Sequence, residues 1–200
     1  ERWFGKQEGS VLVQQAFGDV STMLRQSGKM FDLAAEALLE NRPLERDLDA
    51  LDDVVDESER RVRRLVLEHL SLSPGQDLVA SLILASIVQD AERVGDFARG
   101  LGELLPLAGS RREGRFADEL RAAVAKLRPL FELTETAFRN GDRDSAEQVV
   151  SCHRELKATL QSYTVSVAES DLGADMAVVY SGAARILRRI SAHLANLCSS

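Results

Sequence analysis

The chain has 200 residues, and its 44% hydrophobic and 28% charged residues are typical of a soluble globular protein of one or two domains. That balance excludes disorder and collagen-like repeats, and the longest apolar stretch, residues 82–88, is far shorter than the roughly 20 residues of a membrane-spanning helix. The net charge of −7 argues against a general nucleic-acid-binding protein, since such proteins are usually basic. Two cysteines, Cys152 and Cys198, form no CxxC pair and indicate a reducing compartment.

The composition predicts an all-α protein. Ala, Leu, Glu and Arg are abundant, only 4 residues are proline, and the alternation typical of strands is scarce. Pro129 predicts a kink in its helix, and Gly95 and Gly102 predict a close approach of a neighbouring helix. Turn and capping residues divide the chain into six helical pieces: 10–41, 44–71, 74–107, 115–139, 142–169, and 171 to the C-terminus.

Boundary residues support this division. Asn41 and the pair Asn140-Gly141 are typical of helix ends. Asp142 and Asp171 are candidate N-caps of the fifth and sixth helices. Residues 73–76, Ser-Pro-Gly-Gln, have the pattern of a capping box before the third helix.

Apolar positions recur in steps of three and four along the second and third pieces, as in helical bundles. Helices of about 28 residues are roughly 40 Å long, and six of them with short connections favour up-down bundles. We therefore predict two tandem three-helix bundles of six long antiparallel helices: a leader at 1–9, the first bundle at 10–109, a linker at 110–114 and the second bundle at 115–200. The seam positions are Leu48, Leu51, Val55, Ser58, Val62, Leu65 and His69, followed by Leu84, Ile87, Ala91, Val94, Ala98, Leu101 and Leu105.

The second half of the chain repeats the first at an offset of 96 residues. Residues 92–98, Glu-Arg-Val-Gly-Asp-Phe-Ala, align with residues 188–194, Arg-Arg-Ile-Ser-Ala-His-Leu. The same offset places Asp56 on Cys152, and the order of long helices matches. These observations indicate a duplicated three-helix unit.

Five carboxylates follow the apolar seams of the second and third helices. Asp52, Asp56 and Glu59 each come one residue after a seam position, and Glu92 and Asp96 are one turn apart. If the two helices pack antiparallel, these side chains converge on one patch. Clustered carboxylate oxygens suit cations such as Mg, Ca, Mn or Fe.

A solvated acidic face is the alternative interpretation of this pattern. Arg60, Arg63, Arg93 and Arg99 are close enough in sequence to pair with the carboxylates. Arg60 and Arg63 also belong to a local basic patch with two further arginines, for which we predict a salt-bridged surface. Contact of that patch with an acidic or phosphorylated partner is the alternative.

Two segments carry a resemblance to a known family. Residues 52–62, Asp-Asp-Val-Val-Asp-Glu-Ser-Glu-Arg-Arg-Val, resemble the second-helix signature of PhoU-type phosphate-uptake regulators, Asp-x-x-Ile-Asp-x-Leu-Glu-x-x-Ile. Residues 90–98, Asp-Ala-Glu-Arg-Val-Gly-Asp-Phe-Ala, are similar to the family's third-helix signature, Leu-Glu-Arg-Ile-Gly-Asp-x-Ala. The resemblance covers residues 10–198 and implies two PhoU three-helix bundles side by side.

The resemblance also implies a function without a catalysed reaction: control of phosphate uptake or signalling through protein contacts, with uptake damped when phosphate is ample. The implied partner is a phosphate transporter or its sensor kinase; a homodimer is left open, and nucleic acid is not expected. We expect a cytoplasmic protein, with the inner face of the membrane as an alternative location. A second hypothesis is the regulatory domain of a sodium/phosphate cotransporter, bound to the transporter's own membrane domain. Its basis is a chain that starts at Glu1 rather than Met, with Trp3 and Phe4 in the leader.

Family members bind clusters of metal ions through Glu/Asp-x-x-x-Asp motifs on the second and third helices of each repeat. Carried across, the resemblance implies Asp52, Asp56, Glu92 and Asp96 as ligands of Fe, Mn, Zn or Mg, with Glu59 as a fifth. A structural cation and an acidic docking surface are the two roles left open for this stripe.

The second repeat departs from the family pattern. Arg188 and Ala192 replace the acidic pair of the last helix, and Gln148 and Cys152 replace that of the fifth. A cation at position 188 would repel a metal, so we expect no metal site in this repeat. The residues that resemble substitute ligands are expected to pack or to face solvent: Cys152, His153 and His193.

No motif supports an enzyme. The sequence has no Glu-x-x-His, no His-Glu-x-x-His, no Gly-x-Ser-x-Gly and no P-loop. Its 3 histidines have no metal-pair spacing and provide little general-base capacity. We therefore expect no catalytic residues.

Overall fold

The computed structural model describes residues 11–72 and 78–199, with side chains described from residue 14 onward. Every regular element in these ranges is helical, which confirms the predicted all-α class. The leader at 1–9, with Trp3 and Phe4, and the predicted capping box at 73–76 lie outside the described residues. The helices are α1 (Val11–Leu39), α2 (Leu48–Leu72), α3 (Leu78–Gly102), α4 (Arg115–Leu127), α5 (Leu130–Asn140), α6 (Arg143–Ala168) and α7 (Ala174–Ser199), with a short 3-10 helix at Leu105–Leu107.

The first bundle consists of α1, α2 and α3, which pack on one another. Most of the predicted seam residues of α2 and α3 are buried, because they form one apolar stripe on each helix. Leu65 is half-buried, and Leu105 lies in the 3-10 helix instead of in α3. The steps of three and four therefore predict this part of the core correctly.

The second bundle consists of α4 to α7. Pro129 divides the fourth predicted helix into α4 and α5, since proline has no backbone N–H to continue the hydrogen-bond ladder. Arg128 and Pro129 keep right-handed helical dihedral angles between them, so α4 and α5 together form one kinked helix of a three-helix bundle, as predicted. Near the kink, the Cys152 thiol of α6 lies 3.7 Å from the Lys126 carbonyl oxygen, to which it donates.

Three of the four predicted boundary residues have the expected roles. Asn41 and Gly141 follow helix ends in the left-handed backbone region, with φ of 57° and 63°. The Asp142 carboxylate caps the N-terminus of α6. The prediction for Asp171 is wrong, because α7 begins at Ala174, too far along the chain for Asp171 to be its N-cap.

The two bundles meet through antiparallel contact of α3 with α7. A β-carbon at Gly100 would lie 3.9 Å from Cδ1 of Ile186. The residue 96 positions after Gly100 is Asn196, and the residue 96 positions before Ile186 is Asp90. These two also meet: Nδ2 of Asn196 donates to Oδ1 of Asp90 at 3.1 Å. Reciprocal contacts of this kind indicate a pseudo-two-fold axis between α3 and α7, and they agree with the offset predicted for these helices.

His193 lies at this contact between the bundles. Its Nδ1 is 2.7 Å from Oδ1 of Asp90, and its ring stacks on Phe97 with the centroids 5.6 Å apart. His193 therefore packs against the first bundle, as expected of a histidine on a bundle helix.

Arg112 holds the linker to the end of α1. Its side chain is buried, Nε donates to the Leu38 carbonyl at 2.6 Å, and its backbone N–H donates to Oδ1 of Asn41 at 2.8 Å. Burial lowers the pKa of this guanidinium. The linker arginine thus satisfies a carbonyl at the C-terminus of a helix.

None of the helices in the described ranges has both the length and the hydropathy needed to cross a bilayer.

Candidate carboxylate site

The five predicted carboxylates lie along the line where α2 and α3 meet. Each follows a buried residue, so each side chain emerges at the edge of the apolar stripe instead of on the outer face of its helix. We call this set the carboxylate face. The exposed side-chain fractions are 15% for Asp52, 18% for Glu59, 19% for Glu92, 29% for Asp96 and 40% for Asp56.

The carboxylates of the two helices lie within each other's electrostatic field. Burial raises the pKa of Asp52 to about 6; Arg99 opposes the shift, and Asp56 and Asp96 add to it by charge repulsion. Burial likewise raises the pKa of Glu92 to about 7, and the neighbouring Asp96 raises it further. Burial therefore moves the pKa of both Asp52 and Glu92 towards neutral pH.

Four arginines pair with the carboxylate face. They are the four arginines named above for the alternative of a solvated acidic face. One of them, Arg99 of α3, bridges the two helices by pairing with Asp52 of α2. The closest N–O distances are 2.9 Å for Arg99–Asp52, 3.2 Å for Arg60–Asp56, 2.7 Å for Arg63–Glu59, 3.0 Å for Arg93–Asp96 and 3.5 Å for Arg93–Glu92.

This arrangement does not fit a metal cluster as it stands. Within residues 11–72 and 78–199, no three His, Cys, Asp or Glu side chains are grouped so that they could hold a metal ion. The oxygens suit Mg, Mn or Fe by type, but a cation bound here would have to displace Arg93 and Arg99. Metal binding by the five residues therefore stays a prediction.

Gly95 allows α3 to pack closely against its neighbours at the centre of the face. A β-carbon there would lie 3.1 Å from Cγ1 of Val55, 3.2 Å from Oγ of Ser27 and 3.3 Å from Oδ1 of Asp52. At Gly102 a β-carbon would meet the Leu48 side chain in the same way. Both glycines therefore permit the close helix packing predicted for them.

The basic patch on α2 is largely a salt-bridged surface, as predicted. Arg61 pairs with Asp19 of α1 at 2.8 Å and with Glu57 of its own helix at 3.1 Å. Its bond to Asp19 raises the pKa of this guanidinium further. This pair also ties α2 to α1.

The structure corrects the alignment of the two repeats in one helix. In the first bundle Val55 contacts the position of Gly95, and in the second His153 contacts Ser191, with Nδ1 3.0 Å from Oγ. Gly95 and Ser191 are 96 residues apart, but Val55 and His153 are 98 apart. The offset is therefore 96 for α7 and 98 for α6.

The prediction that Gln148 and Cys152 replace the acidic pair is consequently wrong. At an offset of 98 the structural equivalents of Asp52 and Asp56 on α6 are Val150 and Arg154, and that of Glu59 is Lys157. The spacing of buried residues supports this shift, since four buried positions of α6 repeat four of α2 at 98: Leu51, Ser58, Val62 and His69 correspond to Val149, Leu156, Leu160 and Val167.

The fold and the site define an all-helical protein of two pseudo-symmetric three-helix bundles. The first bundle carries the carboxylate face at the edge of its buried apolar stripes. The model of the PhoU domain matches residues 20–105, which hold the whole of this face. The predicted resemblance to the PhoU family is therefore confirmed by a family-model match over residues 20–105.

Two solved structures are similar to nearly the whole chain. PhoU from Pseudomonas aeruginosa has a TM-score of 0.84 at 19% identity, with 94% of each chain covered. The phosphate transport system regulatory protein PhoU from Streptococcus pneumoniae has a TM-score of 0.71 at 15% identity, covering 94% of this chain and 89% of that one. At these identities the likeness shows the fold. No curated protein sequence matches the chain significantly.

Proposed function

We propose that this chain is a PhoU-like regulatory protein of inorganic phosphate uptake that acts through contacts with protein partners. The match of residues 20–105 to the PhoU domain carries the proposal. It is supported by a fold similar over 94% of the chain to a protein described as a phosphate transport system regulator. The partner we propose is a phosphate transporter or its sensor kinase, bound in the cytoplasm and inhibited when phosphate is ample.

Exposed apolar side chains at one end of the first bundle support a role in protein contacts. They cluster in sequence at the end of α2 and the start of α3, where a bundle without a partner would place polar residues. The exposed fractions are 66% for Leu67, 82% for Leu72, 47% for Leu78, 66% for Val79 and 60% for Leu82.

Phosphate uptake in a bacterial strain that lacks its own PhoU-family regulator tests the proposal. We expect that expression of this chain lowers the rate of phosphate uptake in phosphate-rich medium. A double variant, Leu67→Asp/Val79→Asp, is expected to fold, because both side chains are exposed, and to lose this effect. Unchanged uptake despite soluble, folded protein would contradict the proposed function.

For the carboxylate face we propose that a cation binds only by displacing arginines, at a single site in the first bundle. The test is elemental analysis of the purified protein beside the Asp56→Ala/Glu92→Ala variant, with melting curves before and after chelation. Metal near one equivalent that the variant loses, together with stability, would support the site. Absence of metal from both proteins after Fe, Mn, Zn or Mg is added would reject it and leave an arginine-paired surface.

A further inference from the structure

The second bundle carries inverted charge at the structural equivalent of the carboxylate face. With offsets of 98 for α6 and 96 for α7, Asp56 corresponds to Arg154, Glu59 to Lys157 and Glu92 to Arg188. The two remaining carboxylates, Asp52 and Asp96, become the uncharged Val150 and Ala192. Arg154 and Lys157 lie on α6, and Arg188 lies on α7. We call the groove between these two helices at these three residues the cationic groove.

The arginines that pair with the carboxylate face of the first bundle are not replaced by carboxylates in the second bundle. Three of the four arginines that neutralise the carboxylate face are replaced by uncharged residues, and the fourth remains an arginine. Arg60, Arg63 and Arg99 correspond to Ala158, Gln161 and Ala195, whereas Arg93 corresponds to Arg189. The duplication has therefore produced one nearly neutral face and one strongly positive face on a chain of net charge −7.

The three cations of the groove have no carboxylate partner among the described residues. Nearby charges are paired elsewhere: Glu155 of α6 lies 3.6 Å from Lys126 of α4. Arg154 and Lys157 are exposed, and Arg188 is half-buried. The groove thus presents uncompensated charge to solvent.

The three cations lie on α6 and α7 close in sequence to one point of contact between these helices. Ser191 Oγ lies 3.0 Å from Nδ1 of His153 and donates to the backbone carbonyl of Arg188 at 3.0 Å. The pKa of His153 is lowered by burial and, after that, by the charges of Lys157 and Arg154. Residues from both helices therefore contribute to a single positive surface.

We propose that the cationic groove docks an acidic segment of a protein partner. Its positive charge is complementary to a run of carboxylates, and Arg154 and Lys157, three residues apart on α6, are separated by about 4.5 Å along the helix axis. Such a row matches successive acidic side chains better than a single anion, which requires several donors directed at one point. A second copy of this chain is a poorer occupant, because arginines already neutralise its carboxylate face.

The inference rests on the proposed function only in taking the partner to be a protein. It is tested with a defined probe: a fluorescent helical peptide of about 15 residues with glutamates spaced by three and four positions, beside the same peptide with glutamine in their place. Binding is measured by fluorescence anisotropy at low and at physiological salt. Inorganic polyphosphate is tested as a second ligand. Sedimentation of the protein alone measures its self-association.

We expect the chain to bind the glutamate peptide and not the glutamine peptide. The Arg154→Glu/Lys157→Glu variant should bind about tenfold more weakly or worse, and Arg188→Gln should weaken binding less. The matched control is Arg111→Glu/Arg143→Glu, which changes the net charge equally at side chains that are 77% and 88% exposed. It should bind within about twofold of the wild type.

Three results would overturn the docking proposal: equal loss of binding in both charge-reversal variants, binding of polyphosphate but not of the peptide, or self-association that the groove variant abolishes without any peptide binding. Circular dichroism and melting curves establish that each variant is folded. If the peptide fails to bind while the chain still lowers phosphate uptake, the groove proposal is wrong and the proposed function stands. If the peptide binds and uptake is unchanged, the proposed function is wrong and the groove proposal stands.

Discussion

Replacement of Glu92 by glutamine should make the protein more stable at pH 8 and change it little at pH 5. In the folded chain burial and the neighbouring Asp96 raise the pKa of Glu92 from 4.5 to about 7. A carboxyl group whose pKa is higher in the folded state binds more protons when folded. Its contribution to stability is therefore fully present below pH 4.5 and is lost as the pH rises through 7. Glutamine, which stays neutral, removes that loss.

The size of the effect follows from the shift in pKa. A difference of about 2.5 pH units at 1.36 kcal/mol per unit sets an upper bound of about 3 kcal/mol. The side chain is 19% exposed and lies beside Arg93, so screening reduces this to about 1–2 kcal/mol. For a chain of this length, the gain corresponds to a rise in Tm of about 2–8 °C at pH 8.

The assay is a series of thermal melts of the wild type and Glu92→Gln from pH 5 to pH 8 at constant ionic strength. The difference in Tm between the two proteins should grow with pH across this range. Glu147→Gln is the matched control, because Glu147 is 67% exposed and pairs with Arg143 of its own helix, which is 88% exposed. Its Tm should follow that of the wild type. A difference between wild type and Glu92→Gln that stays constant with pH, or shrinks as pH rises, would refute the raised pKa of this carboxylate.

Other predictions concern packing and capping. Gly95→Ala should lower the free energy of unfolding by about 1 kcal/mol, since overpacking at 3.1 Å from Val55 outweighs the gain in helix propensity. Gly100→Ala, with a nearest contact at 3.9 Å, should instead raise it by about 0.5–1 kcal/mol; urea unfolding measures both, and equal signs would contradict the close-approach argument. Arg112→Ala should cost about 2–3 kcal/mol, because it leaves a buried helix carbonyl without its donor, whereas Arg111→Ala at a 77% exposed position should be nearly neutral. Similar melting temperatures for these two arginine variants would exclude a capping role.

The interior of the first bundle was predictable because helical periodicity is a local property of the sequence. The seam of α2, from Leu48 to Val62, is buried as its steps of three and four require. The kink at Pro129 was predictable for the same reason, since a missing N–H acts within one turn. The start of α7 was not, because Asp171 satisfies the local rule for an N-cap although the helix begins at Ala174.

The candidate site was likewise predictable in part from the sequence and in part not. From the sequence alone, Asp52, Asp56 and Glu59 fall on one stripe beside the core, and Glu92 and Asp96 on another. That the stripes meet depends on how α2 and α3 pack. The sequence also left open which cations they meet, and the structure places arginines there.

Residue order by itself determined the helical class, most helix ends and the set of carboxylates, since each depends on contacts within a few turns. Only the tertiary structure decided the pairing of the carboxylates with arginines, the shifted pKa values and the two-residue difference in offset between α6 and α7. These depend on the approach of helices that are distant in sequence, and a shift of two residues moves a side chain to another face of its helix. The cationic groove became visible for this reason: Arg154 and Lys157 correspond to acidic residues only after α6 is aligned by its packing instead of by its position in the chain.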